Sequence, residues 1–134
     1  MEVNRGRNNK VRCAVLDTNV LMYIFLYKVD VFSQLKEFGV SRFIVPTQVF
    51  NELKSLEKSK GSEKRAARFA LNLVKLNCEI VEVDAHGADN ALIKIAEDYG
   101  CYLITNDKAL RKKARKNKII VGYIRELKKL EIEE

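Results

Sequence analysis

The chain has 134 residues, a length that fits one domain and can bury a core without a structural metal. Hydrophobic residues make up 47%, which excludes disorder throughout. Lys plus Arg total 25 against 18 for Asp plus Glu, and the net charge of +7 points to a polyanionic partner while saying nothing about fold.

In chain order, residues 1–10 are polar and read as a flexible tail of a single domain spanning 1–134. Short β-branched and apolar runs predict strands at Arg12–Leu16, Arg42–Val45, Cys78–Val83, Cys101–Thr105 and Ile119–Val121. Helical spacing starts after Asn19, running through Val20, Leu21, Ile24, Phe25, Phe32, Leu35 and Phe38, with Gly39 as the stop. Thr47 and Ser62 suit the caps of two further helices. Ala88 to Tyr99 makes another apolar face stopped by Gly100, and Lys108 to Lys116 is helical by propensity. Glu126 to Glu134 suits a short helix or a strand with a charged end. Alternation of this kind predicts an α/β fold with a central, mostly parallel five-stranded sheet between helical layers.

Cys13, Cys78 and Cys101 lie far apart, form no zinc-binding pair, and are expected as buried reduced thiols in a reducing cytosol. The longest apolar run, Val20 to Tyr27, is eight residues. A membrane helix needs about 20. No signal segment follows the charged start, so a soluble cytoplasmic protein without membrane contact is expected.

In parallel α/β sheets, ligands bind beyond the carboxyl ends of the strands. Asp17 ends the first predicted strand and Asp107 follows the fourth. Glu52 stands on the helix after strand two, and Asp89 opens the helix after strand three. Each alone also suits a helix cap, a first-turn acid or a solvated surface. Together they would bring four carboxylates from four segments to one edge, where they repel unless a cation sits between them. Oxygen-only donors suit Mg²⁺ or Mn²⁺, which align a phosphodiester and activate a water. Thr18, Asn19, Thr105 and Asn106 are small polar residues placed to hydrogen-bond those acids, although Asn19 and Asn106 equally suit helix caps. Lys108, Arg111, Lys112, Lys113, Arg115, Lys116 and Lys118 carry seven positive charges with no acid among them, equal to the whole excess. Their i,i+4 repulsion would be offset by phosphates, so Lys108, Arg111, Lys112, Arg115 and Lys116 are the expected nucleic-acid contacts. His86, the one histidine, reads as a solvent-exposed loop residue. No P-loop, dinucleotide or serine-hydrolase signature is present.

Four motifs carry a resemblance over nearly all of residues 11–125. They are Val15-Leu16-Asp17-Thr18-Asn19, Pro46-Thr47-Gln48-Val49-Phe50-Asn51-Glu52-Leu53, Ala88-Asp89-Asn90-Ala91-Leu92-Ile93 and Leu103-Ile104-Thr105-Asn106-Asp107-Lys108-Ala109-Leu110. In this order the sequence resembles a PIN domain. The resemblance implies an endoribonuclease in which Asp17, Glu52, Asp89 and Asp107 bind Mg²⁺ or Mn²⁺ and cleave RNA, with a hydroxyl or amide at Thr105 or Asn106 beside the last acid. It also implies a homodimer. Two branches stay open: VapC-type toxins, which pair with an antitoxin protein, and ribosomal-RNA processing endonucleases. The alternatives are a non-catalytic RNA-binding or assembly module on the same fold, and a phosphorylation receiver, whose paired acids after strand one are missing here.

Overall fold

The computed structural model describes residues 11–133, so the expected tail at residues 1–10 lies outside them. The chain runs β1 (Cys13–Leu16), α1 (Thr18–Leu26), α2 (Val31–Glu37), β2 (Arg42–Pro46), α3 (Thr47–Leu56), α4 (Gly61–Asn77), β3 (Cys78–Val81), α5 (Ala88–Tyr99), β4 (Tyr102–Ile104), α6 (Lys108–Lys116), β5 (Val121–Arg125) and β6 (Lys129–Glu133). The sheet order is β3-β2-β1-β4-β5-β6, and every pairing is parallel except the last. The expected sandwich is present with six strands rather than five. Every residue of β1 and β4 is buried, so helices cover both faces of the sheet centre.

Three local expectations need correction. The apolar run after Asn19 is two helices, broken where Lys28 takes φ 58° and Asp30 caps α2 through Ser33 N–H at 3.1 Å. Thr47 is the first helical residue of α3 and Ser62 lies inside α4; the caps are Pro46 and Lys60, neither using a side-chain bond. Strand five starts at Val121 rather than Ile119, and the charged end is an antiparallel strand.

The cysteines need a fourth. β1 and β4 pair with Ala14 opposite Tyr102, which sets Cys13 opposite Cys101, and the two form a disulfide with Cα atoms 4.8 Å apart. Strand register, invisible in an 88-residue spacing, makes this bond. Only Cys78 is a free thiol among the described residues. Burial, then the neighbouring Glu79 charge, pushes it up to about 12, so it stays protonated.

Packing fixes one glycine. Gly122 on β5 faces Ile132 of β6, and a Cβ there would stand 2.7 Å from Ile132 Cδ1 and 2.9 Å from Ile104 Cδ1. We expect Gly122→Ala to cost about 1–3 kcal/mol through overpacking, seen as a lower urea midpoint with unchanged slope. An unchanged midpoint would mean the two isoleucines swing aside freely.

Candidate active site

The chain lays down β1, β2 and β3 in one direction from β1, then returns to add β4 and β5 on its other side. The switch point therefore lies between β1 and β4, where a crevice opens beyond the carboxyl ends. Asp17 follows β1 and Thr105-Asn106-Asp107 follows β4. The parallel ladder continues one step into this crevice, with Asp17 N–H donating to Ile104 C=O at 3.1 Å. The same register that joins the cysteines at one end thus sets Asp17 beside Thr105 at the other.

Asp17 is the most constrained of the acids. Its Oδ2 accepts from the buried Thr105 hydroxyl at 2.6 Å, and its Oδ1 accepts from Thr18 N–H at 2.7 Å. Burial raises its carboxyl above the ordinary range, the two hydrogen bonds oppose that, and the charges of Asp89 and Glu52 add to it. Thr105 Oγ also accepts from Asp107 N–H at 3.1 Å, so one hydroxyl ties the first acid to the backbone of the fourth. Asp107 caps α6, its Oδ1 accepting from Ala109 and Leu110 N–H at 2.9 and 3.1 Å. Glu52, exposed on α3, accepts from the buried Thr18 hydroxyl. Asp89, in the first turn of α5, is raised by burial and by the charges of Asp107 and Glu52, against which Lys113 works.

The four predicted acids therefore share one electrostatic neighbourhood. Among the described residues, no three acidic, histidine or cysteine side chains are drawn close enough to encircle an ion. Like charges at short range repel, and a cation between them would relieve the burden that raises Asp17 and Asp89. The donors are carboxylates with no imidazole or thiolate, which suits a hard divalent cation.

The small polar residues divide. Thr18 and Thr105 touch carboxylates. Asn106 instead grips β5: its amide donates to Ile124 C=O at 3.0 Å and its carbonyl accepts Ile124 N–H at 2.7 Å. Asn19 is exposed on α1, and its side chain makes no hydrogen bond among the described residues. The basic residues also divide. Lys113 donates to Asn90 at 2.7 Å, and Arg115 pairs with Glu133 at 2.7 Å, which offsets the charge expected to face a polyanion. Lys108, Lys112 and Lys116 are exposed, while Arg111 is half-buried against Tyr123. His86 is exposed in its loop, as expected.

A family model described as a PIN like domain matches residues 14–127, from β1 to the β5–β6 turn. The chain belongs to the PIN-like domain family. It is 57% identical over 134 residues to Ribonuclease VapC9 of Archaeoglobus fulgidus, covering 99% of this chain and 98% of that one. It is 35% identical over 124 residues to Ribonuclease VapC4 of Methanocaldococcus jannaschii, covering 88% and 94%. Among solved structures, the PIN domain endonuclease Utp24 superposes with a TM-score of 0.76 at 22% identity, covering 94% of both chains, a likeness of fold.

The hydrogen bond expected from Thr18 to an acid goes to Glu52, joining α1 to α3 across 34 residues. The Arg111–Tyr123 stack, which joins α6 to β5, has no spacing that announces it in the sequence. No helix among the described residues is long and apolar enough to cross a membrane.

Proposed function

We propose that this chain is a divalent-metal-dependent endoribonuclease of the VapC toxin type. The carrying observation is the meeting of Asp17, Glu52, Asp89 and Asp107 at the sheet's switch point, in a chain whose net charge is +7. The identity of 57% to a protein named as a VapC ribonuclease favours the toxin branch over the processing branch.

In this reading Asp17 and Asp107 hold the cation, Mg²⁺ or Mn²⁺, and Glu52 and Asp89 complete the pocket. Bound there, such an ion would supply Lewis-acid stabilisation of the phosphate and a lowered pKa for the attacking water. The residues of the chain do the rest. Thr105 and the Thr18 amide aim both oxygens of Asp17, and the α6 cap commits Asp107 Oδ1, leaving Oδ2 without a hydrogen bond among the described residues. Lys108, Arg111, Lys112 and Lys116 carry the RNA backbone, while the Arg115 expected beside them is paired with Glu133. An antitoxin partner, a homodimer and residence in the cytoplasm belong to the same proposal and rest on the family. Disulfides do occur in intracellular proteins of hyperthermophiles, so the Cys13–Cys101 bond is compatible with that setting.

The test is cleavage of a panel of single-stranded and hairpin RNAs, with Mn²⁺ or with EDTA, by wild type and Asp107→Asn. We expect metal-dependent cuts that vanish in the variant. Salt-sensitive binding without cleavage by wild type would favour the non-catalytic module instead.

A further inference from the structure

The acid edge has a cationic component on its β5 side. Arg111 follows Asp107 by one helical turn, its N–H donating to Asp107 C=O at 2.9 Å. Residues four apart share a helix face, and their side chains lean toward the helix start, here toward Asp107. The Arg111 guanidinium lies over the Tyr123 ring, 4.2 Å from its centroid. Tyr123 precedes Ile124, whose backbone is held on both sides by Asn106. Arg111, Tyr123 and Asn106 thus form one fixed patch beside Asp107.

The guanidinium is incompletely satisfied there. Its Nε and Nη1 are buried without a hydrogen-bond partner. Buried donors without acceptors are costly, and more so on a cation. Nη2 is the one nitrogen not sealed in this way. Stacking gives the planar group a fixed direction, and its fork matches two oxygens of a phosphate. The neighbouring cations differ: Lys113 is spent on Asn90 and Arg115 on Glu133.

We propose that Arg111, laid on Tyr123, is a phosphate clamp that positions the RNA strand against the acid edge. A phosphodiester first meets Nη2. Sliding the guanidinium along the Tyr123 face toward it turns Nε and Nη1 to the phosphate oxygens while the stack is kept, so the under-satisfied resting state favours engagement. Tyr123 is a positioning residue that aims the cation. The choice of RNA as ligand rests on the ribonuclease reading above.

The experiment is binding of a labelled single-stranded RNA to the full chain in EDTA across a range of salt, with thermal melts alongside. We expect Arg111→Ala to weaken binding about tenfold and to flatten the slope of log K against log salt by about 0.7, one phosphate contact. Arg111→Gln, which removes the charge but keeps a methylene stem and a planar polar head, should show the same loss and covers the case in which the alanine variant misfolds. Tyr123→Leu should lower affinity with the slope intact, because the charge stays and only its aim is lost. Arg42→Ala, in an ion pair with Glu79 at the amino end of β2, should bind like wild type. A folded Arg111→Gln with wild-type affinity and slope would overturn the clamp. Because binding is read without cleavage, an Arg111-dependent slope in a chain that never cuts RNA would sink the nuclease reading and leave the clamp standing. Metal-dependent cutting with an Arg111-independent slope would do the reverse.

Discussion

Asp17→Asn should abolish RNA cleavage and, at neutral pH, make the protein more resistant to heat. The first effect follows from removing one charge from a cation pocket, a loss of several kcal/mol in the transition state. That is roughly a thousandfold or more in rate. The second follows from the sign of the Asp17 shift. Its carboxyl is raised above 3.8, chiefly by burial, with hydrogen bonds from Thr105 and Thr18 opposing and the Asp89 and Glu52 charges adding. A raised acid contributes stability that is full below the unfolded value and is lost as pH rises through the folded value. Above that point the ionised, crowded group is a burden. Asparagine is neutral at every pH and keeps one of the two accepting oxygens in nearly the same shape, giving up the other hydrogen bond. The melting temperature of the variant minus that of wild type should therefore grow as pH rises above the ordinary carboxylate range and level off once the folded Asp17 carboxyl is ionised. Adding Mg²⁺ should raise the wild type by binding the folded state and leave the variant unmoved. A variant that melts lower than wild type at pH 7 would show that the two hydrogen bonds outweigh burial and repulsion. A variant that still cuts RNA would remove Asp17 from the active site.

Breaking the Cys13–Cys101 disulfide should remove a large part of the fold's stability. The bond closes a loop of 88 residues. In the chain-entropy model that is about 4–5 kcal/mol, an upper figure if the unfolded chain is compact. Domains of ordinary size have about 5–15 kcal/mol in total. With roughly 3–6 °C per kcal/mol at this length, the double variant Cys13→Ala, Cys101→Ala should melt on the order of 15 °C lower. Wild type in strong reductant should fall by a similar amount, and reductant should do nothing further to the variant. Cys78→Ala should respond to reductant like wild type, since its thiol forms no bond. Equal melting with and without reductant would show that the crosslink adds nothing to the paired strands.

The two expectations differ in how far the sequence announces them. Asp17 and Asp107 stand at the ends of apolar β-branched runs, so alternation alone delivers them to the sheet edge. Glu52 and Asp89 follow from helix placement; the structure puts Asp17, Glu52 and Asp89 within reach of one another's charge and Asp107 within reach of Asp89. The disulfide needs the pairing of β1 with β4, which no local pattern encodes. The hairpin between β5 and β6 escapes for a different reason. Its turn places Glu126 and Leu127 at φ 52° and 56°, a conformation normally flagged by Gly or Asn. Here the strand pairing on either side imposes it on two residues that resist it. Asn106 is legible as a polar residue at the sheet edge, yet its side chain serves β5, where both its amide groups are taken by the backbone of Ile124, a partner 18 residues on that no local pattern announces.

That hairpin also bears on how the molecule meets its neighbours. β6 is held along β5 and clipped to α2, where Gln34 accepts from Leu130 N–H at 2.7 Å and donates to Lys128 C=O at 3.3 Å. Without it, β5 would be the sheet's outer strand, with open backbone groups beside Tyr123 and ready to recruit another chain. β6 presents instead a rim on which Lys129, Glu131 and Glu133 alternate with Leu130 and Ile132. Alternating charge is a poor template for strand addition. β6 thus works as a fender: it keeps the flank beside β5 and Tyr123 from being consumed by fibre-like self-pairing.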